Sequence, residues 1–198
     1  MLRPAVRARG VSMIEMMISL AIVAGMLGMA APSLGTWLRN GQIRTAAEAI
    51  LNGLQLARAS AVQRNAPVGF YLTTTLDNGC AVSAAGTNWV VSMDDPGGAC
   101  ATPVSDTVAP RIVATRAGID GSRHAIVSAE QAAIGFNGLG RRINAGSAAS
   151  VSIEVSSPAG GSCAADGGDM RCLRVSVSAG GQVRMCDPAV AAGDVRSC

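Results

Sequence analysis

The chain has no lysine, a single histidine (His124), and in 198 residues only two Trp, one Tyr and two Phe. Each shortage removes a class of function. A lone imidazole in the setting SRHAIV reads as a strand start, because nothing nearby supplies the nucleophile that a base would serve. No CxxC pair occurs among the six cysteines, so a zinc knuckle is not indicated. The acids are scattered without a paired frame, and the glycine-rich stretch GGSCAADGGD lacks the terminal lysine and following helix of a phosphate loop. The chain therefore reads as a non-enzyme that holds no metal and no cofactor. The missing lysine has two readings, a GC-rich coding bias or a use for planar guanidinium groups, and the first is preferred. So few aromatic rings leave little for stacking on nucleic-acid bases.

What is present is unevenly spread. The length suits one anchored domain with a real core. Residues 11–38, VSMIEMMISLAIVAGMLGMAAPSLGTWL, are almost wholly apolar, whereas the remainder is rich in Ser, Gly and Thr. The formal charge of +3 comes from Arg3, Arg7 and Arg9 in the opening MLRPAVRARG. Without that leader the charge is zero. The apolar run is too long for the core of a secretory signal peptide and long enough to span roughly 30 Å of hydrocarbon as a helix. It also carries Glu15, and a carboxylate is expensive in lipid.

Arg9, Gly10, Val11, Ser12, Met13, Ile14 and Glu15 together resemble the class III signal of type IV prepilins. The match departs from the usual pattern at Val11, where the family mostly has Phe, and at Met13, where Leu is common. The resemblance implies cleavage between Gly10 and Val11 by a prepilin peptidase and N-methylation at Val11. It also implies that Glu15 meets the α-amino group of a neighbouring subunit, pairing two charges that are each costly in the bilayer. Arg7 and Arg9 on the cytoplasmic side orient a single-pass inner-membrane helix with its head in the periplasm. Pro32 falls where pilins carry a helix-kinking proline.

Beyond Trp37 the pattern changes. Ile43, Ala47, Ile50, Leu54, Ala57 and Ala61 recur at steps of three and four, with Arg44, Glu48, Gln55 and Arg58 off the stripe. This predicts an amphipathic helix that continues the anchor to about Arg64, where Asn65 and Pro67 supply stop signals. The stretch LNGLQLARASAVQRNAPVGF, Leu51 to Phe70, resembles the helix-to-strand passage of the FimT, FimU and GspH group of minor pilins and pseudopilins. Short alternating or β-branched runs then predict strands at Val68–Leu72, Trp89–Met93, Arg111–Thr115, His124–Ser128, Ala132–Phe136, Val151–Ser156, Cys172–Ser178 and Gln182–Cys186. The expected fold is α+β: a long N-terminal helix packed on an antiparallel head of seven to eight strands. Its parts are a cleaved leader at 1–10, an anchor or filament-core helix at 11–38, an amphipathic helix at 39–66 and the β-rich head at 67–198.

The cysteines, Cys80, Cys100, Cys163, Cys172, Cys186 and Cys198, all fall in the head, as expected for disulfides in an exported domain. Sequence order suggests Cys80 with Cys100, Cys163 with Cys172 and Cys186 with Cys198, one of many possible pairings. The segment from Asp77 to Asp106 reads as an acidic surface loop, and FNGLGRR, Phe136 to Arg142, resembles a turn of GspH-like heads. In the last two strands Leu173, Val175 and Val177 share one face, and Arg174, Ser176 and Ser178 the other. A loop of Ala179, Gly180 and Gly181 then sets Arg184 opposite Ser176 and diagonal to Arg174.

Resemblance to the group implies a minor pilin in a pilus tip or assembly-priming complex, serving biogenesis, twitching motility, adhesion or uptake. Its implied partners are other major and minor pilins, the prepilin peptidase and the inner-membrane assembly platform. One alternative is a GspH-like pseudopilin of type II secretion. Another is a FimT-like DNA receptor for natural transformation, using Arg174 and Arg184 with Arg171 and Arg196. Against that reading, one position of the family's Gly-Arg-x-Arg pattern is Gln182, and Glu154, Asp187 and Asp194 are available to neutralise the patch.

Overall fold

The computed structural model describes residues 12–118, 120–143 and 150–198, leaving aside the side chains of 29–33 and 159. Its one α-helix among these residues, α1, runs Met13–Arg64 and is followed by β1 (Val68–Thr73), β2 (Asn88–Ser92), β3 (Ile112–Arg116), β4 (Ile126–Ala129), β5 (Ala133–Phe136), β6 (Val151–Ser156), β7 (Leu173–Val177) and β8 (Val183–Cys186). The chain divides into two compact units, Met1–Trp37 and Leu38–Cys198.

Helix α1 stops where the residue types require it to. Asn65 adopts the left-handed conformation, φ 47°. Its N–H donates to the Val62 carbonyl at 3.2 Å, and the N–H of Ala66 donates to the Ala61 carbonyl at 3.2 Å. This is the paired Schellman arrangement, and asparagine tolerates the left-handed geometry better than most residues. Pro67, just beyond, cannot continue the helix.

In the second unit the stripe of Ile43, Ala47, Ile50, Leu54, Ala57 and Ala61 is fully or almost fully buried. It packs in one core with Phe70, Leu72, Ile134, Phe136, Ile153, Val175 and Met170. Burying one large aliphatic or aromatic side chain of this kind contributes about 1.5–3 kcal/mol. Small residues on the helix permit a close approach to the sheet: a methyl at Gly53 would fall 2.7 Å from the Phe70 ring and 3.1 Å from the Trp89 indole. The two rings stack at a tilt with centroids 5.6 Å apart.

The strands form two four-stranded antiparallel sheets rather than one, ordered β3-β2-β1-β5 and β4-β6-β7-β8. The division arises between β4 and β5. The Glu130 N–H donates to the Ser152 carbonyl, which keeps β4 beside β6, while Ala132 accepts from the Leu72 N–H and takes β5 to β1. The Glu130 carboxylate fastens the switch by accepting from both the backbone N–H and the hydroxyl of Ser152. The first sheet is apolar on both faces at β2. Trp89 and Val91 join the main core, whereas Val90 packs with Ile112 and the Cys80–Cys100 bridge in a second cluster, so WVV reads as a continuous run.

Six strand starts differ from the sequence expectation by one or two residues, and two of the shifts have a local cause. Arg111 lies outside β3 because its φ is 54°, and its guanidinium turns to Asp94, Nε to Oδ2 2.7 Å. His124 lies outside β4 because residues 121–124 form a turn closed by the Ala125 N–H on the Ser122 carbonyl.

Candidate functional site

In the first unit the described side chains of α1 are exposed from Met13 to Leu27 and apolar but for Glu15, the one charge, and Ser19, whose hydroxyl donates to the Glu15 carbonyl at 2.6 Å. Ile14, Met17, Leu20, Ile22 and Met26 are each more than half exposed, and at 3.6 residues per turn these positions are spread around the whole helix. A helix that is apolar all round is one whose surroundings are also apolar. Glu15 sits in the first turn, where the positive end of the helix dipole favours a carboxylate. Among the described residues no helix is long and apolar enough to cross a membrane; the described side chains of this run end at Gly28 and resume at Leu34. Pro32 is helical, with its side chain outside the description, and Gly10 and Val11 lie outside the described residues.

In the second unit the β7–β8 register is Ser176 opposite Arg184 and Arg174 opposite Cys186. Arg174 and Arg184 thus share the outer face while Val175 and Val177 are buried. Each of the four candidate arginines meets a protein acceptor. Arg174 pairs with Glu154 on β6, Nε to Oε1 3.1 Å. Arg171 Nε lies 3.1 Å from Asp187 Oδ2, and Arg196 is bidentate on Asp194 at 3.1 and 2.9 Å. Arg184 donates Nη2 to the carbonyls of Ser197, 2.7 Å, and Cys198, 3.3 Å. A guanidinium already engaged by protein oxygen must exchange partners to hold phosphate, so this geometry lends the DNA-receptor reading no support.

The same contacts build a C-terminal strap. Asp187 is buried, and its backbone N–H donates to the Arg196 carbonyl at 2.8 Å while its carboxylate caps the Ala189 N–H at 2.9 Å. Cys186–Cys198 closes the strap, alongside Cys80–Cys100 and Cys163–Cys172. The Arg196 guanidinium and backbone N–H hold the Asp194 carboxyl down to about 2. Sequence reading treated Asp187 as a mere neutraliser; the Cys-Asp-Pro sequence, a turn signature, marks its structural part. It also passed over Asn40 and Gln42, whose side-chain oxygens accept the N–H groups of Arg171, 2.9 Å, and His124, 3.4 Å, and so dock two loops on α1.

The acidic segment is braced by its disulfide and tied at two points of its second half by arginines from outside it: Asp94 to Arg111 and Asp106 to Arg64, the latter at 2.6 Å. The Arg111 hydrogen bond holds the Asp94 carboxyl below its ordinary value. In FNGLGRR, Asn137 Oδ1 accepts from the N–H groups of Leu139 and Arg141, both 3.0 Å, and Gly140 takes φ 72°. This is a turn shaped by the Asn137 side chain. Among the described residues no group of three His, Cys, Asp or Glu is placed to hold a metal ion.

The chain can now be set beside known proteins. The solved structures include two crystal forms of the type IV minor pilin FimU from Pseudomonas aeruginosa, both 14% identical to it. The first aligns with a TM-score of 0.50 over 76% of this chain and 98% of that one; the second with 0.49 over 77% and 93%. At that identity the first alignment shows a shared fold. No curated protein matches. The family model described as type II transport protein GspH matches residues 46–181, from the helix stripe beyond Ile43 through β7 to the turn of the last hairpin, with β8 outside it. That match spans more than half of the sequence, and the chain belongs to the GspH family.

Proposed function

We propose that the chain is a minor subunit of a type IV pilus, part of a tip or assembly-priming complex, whose work is structural rather than catalytic. The observation that carries this is the helical run from Met13 to Leu27, exposed and apolar on every side with Glu15 as its one charge. Such a surface needs lipid before assembly and other apolar helices after it. The leader fits the same life cycle: cleavage between Gly10 and Val11 by a prepilin peptidase, methylation at Val11, and a single-pass anchor that leaves the head in the periplasm. Glu15 would then pair with a neighbour's free α-amino group, setting register as the subunit leaves the membrane through the assembly platform. The fold shared with a type IV minor pilin supports the pilus branch.

The description of the matching family favours a second reading, a pseudopilin of type II secretion. Deleting the gene separates the two. Loss of twitching with normal enzyme secretion is the result expected for the pilus subunit; the reverse pattern is expected for the pseudopilin.

A further inference from the structure

Asparagine is followed by glycine at four places: Asn40–Gly41, Asn52–Gly53, Asn78–Gly79 and Asn137–Gly138. This pair carries its own chemistry. The glycine nitrogen can attack the asparagine side-chain carbonyl, because a glycine has no Cβ to hinder the approach and turns freely about its backbone. The attack needs a carboxamide free to swing, a glycine N–H that can be released, and water close by. Asn40 and Asn52 lie inside α1, where the N–H of each following glycine is spent on a backbone carbonyl one helical turn back. Closing a ring there would break the helix. Asn40 is held further by the Arg171 N–H on its Oδ1, and Gly53 sits against the Phe70 and Trp89 rings. Asn137 is locked differently: its Oδ1 accepts the N–H groups of Leu139 and Arg141, and a methyl at Gly138 would fall 2.5 Å from Asn65 Oδ1, so the turn has no room to rotate.

Asn78 is under none of these restraints. It and Gly79 are both exposed in the turn that follows β1, and its carboxamide bonds to no described residue. The Gly79 N–H donates to Asp77 Oδ1 at 2.7 Å, an exposed side chain that water can replace without disturbing the sheet. We infer that Asn78 is a site of spontaneous covalent modification, a succinimide-forming deamidation that the folded head allows there and suppresses at Asn40, Asn52 and Asn137. The Gly79 nitrogen loses its proton to solvent base and bonds to Asn78 Cγ; the Cγ–Nδ2 bond breaks and Nδ2 leaves as ammonia. Water then opens the ring at either carbonyl, leaving aspartate or isoaspartate. The product adds a negative charge to a segment that already holds Asp77, Asp94, Asp95 and Asp106, and the isoaspartyl form lengthens the main chain by one carbon. Neighbouring bonds confine the change. The Thr74 N–H donates to the Ala81 carbonyl at 3.0 Å, the Ala81 N–H to the Thr74 hydroxyl at 3.1 Å, and Cys80 is tied to Cys100. The head stays folded as it acquires the charge, and the modified fraction grows with the age of the molecule.

The test ages detergent-solubilised full-length protein in mildly alkaline buffer and maps its peptides by mass spectrometry, with a protein isoaspartyl methyltransferase as the probe for the isoaspartyl product. The peptide holding Asn78 is expected to gain the mass of an amide-to-acid exchange and to accept methyl groups, at a rate about tenfold or more above those of the peptides holding Asn40, Asn52 and Asn137. In protein unfolded and reduced beforehand the four sites are expected to react at similar rates, because the residue pair is the same and the fold no longer chooses. Gly79→Ala, whose methyl meets nothing closer than Asp77 Oδ1 at 3.1 Å and needs no left-handed backbone, is expected to fold normally and to slow the reaction at Asn78 about tenfold. Equal rates at the four sites in folded protein, the same preference for Asn78 in unfolded protein, an Asn78 that stays intact while the unfolded chain reacts, or an unchanged rate in Gly79→Ala overturns the inference.

Discussion

Arg58 donates its Nε–H to the carbonyl oxygen of Gly140 at 3.1 Å, joining the last two turns of α1 to a turn 82 residues away. The same turn receives the last hairpin: the Arg142 N–H donates to the Ala179 carbonyl at 3.2 Å, and Gly181 lies against the Gly140 carbonyl with no room for a side chain. Helix, first sheet and second sheet meet there, the helix through the Arg58 side chain and the last hairpin through backbone atoms.

Gly181→Ala is therefore expected to destabilise strongly. It sets an alanine at φ 78° and drives its methyl into the Gly140 carbonyl. The left-handed geometry alone costs about 1–2 kcal/mol. Gly180→Ala meets nothing closer than 3.8 Å and is the control. In detergent-solubilised full-length protein the first variant should lower Tm by several degrees, about 2–4 °C per kcal/mol at this size, and the second should leave it nearly unchanged. Equal midpoints would contradict the contact.

Two helix glycines should respond with opposite sign. Gly41 has open space where a methyl would go, so Gly41→Ala should stabilise by about 0.5–1 kcal/mol through helix propensity. Gly53→Ala gains the same propensity but pushes the Phe70 ring and Trp89 indole off the helix, and a crowded core costs about 1–3 kcal/mol. Chemical denaturation of both variants checks it: shifts of the same sign would mean that helix and sheet are not in close contact at Gly53.

How much of this was legible in the sequence depended on range. The end of α1 at Arg64 follows from Asn65 and Pro67, and all eight strands lie within two residues of their expected positions, because alternation and turn residues are local signals. The partition into two sheets was not legible. Alternation predicts one strand ending at Ser128 and the next beginning at Ala132, but the residues between β4 and β5 change sheets through a Glu130–Ser152 contact that no local pattern encodes. The arginines of the last hairpin were placed on their face by parity, whereas their pairing with Glu154, Asp187 and Asp194 needed coordinates.

Three carboxylates held by hydrogen bonds predict an acid limit. Asp194 is held down to about 2 by Arg196, and Asp94 and Glu130 are held below their ordinary values by hydrogen bonds from Arg111 and Ser152. A carboxylate whose folded pKa is depressed contributes stability that is present above its unfolded value, near 4, and is lost as pH falls through the folded one. Tm should be level from pH 7 to about 5 and fall steadily from about 4 towards 2. Asp194→Asn should flatten part of that fall. Superimposable pH profiles of wild type and variant would show that the Asp194–Arg196 clamp does not exist in solution.

The three disulfides should be reduced in order of access. Cys80 and Cys100 are 4% and 3% exposed, whereas Cys198 lies at the exposed end of the chain. Under mild reductant at neutral pH, alkylation and peptide mapping should label Cys186 and Cys198 first. Replacing both by Ser should cost about 2–3 kcal/mol, the scale expected for a short closed loop. Labelling of Cys80 and Cys100 first would contradict the burial of that bridge.

The account turns on the chain being processed into a filament subunit, and the N-terminal peptide of the protein purified from its own cells tests that most directly. Mass spectrometry should find an N-terminus at Val11 carrying one added methyl group, and a Gly10 variant should retain residues 1–10. A native protein that keeps its first ten residues, or a Gly10 variant processed normally, would contradict the account.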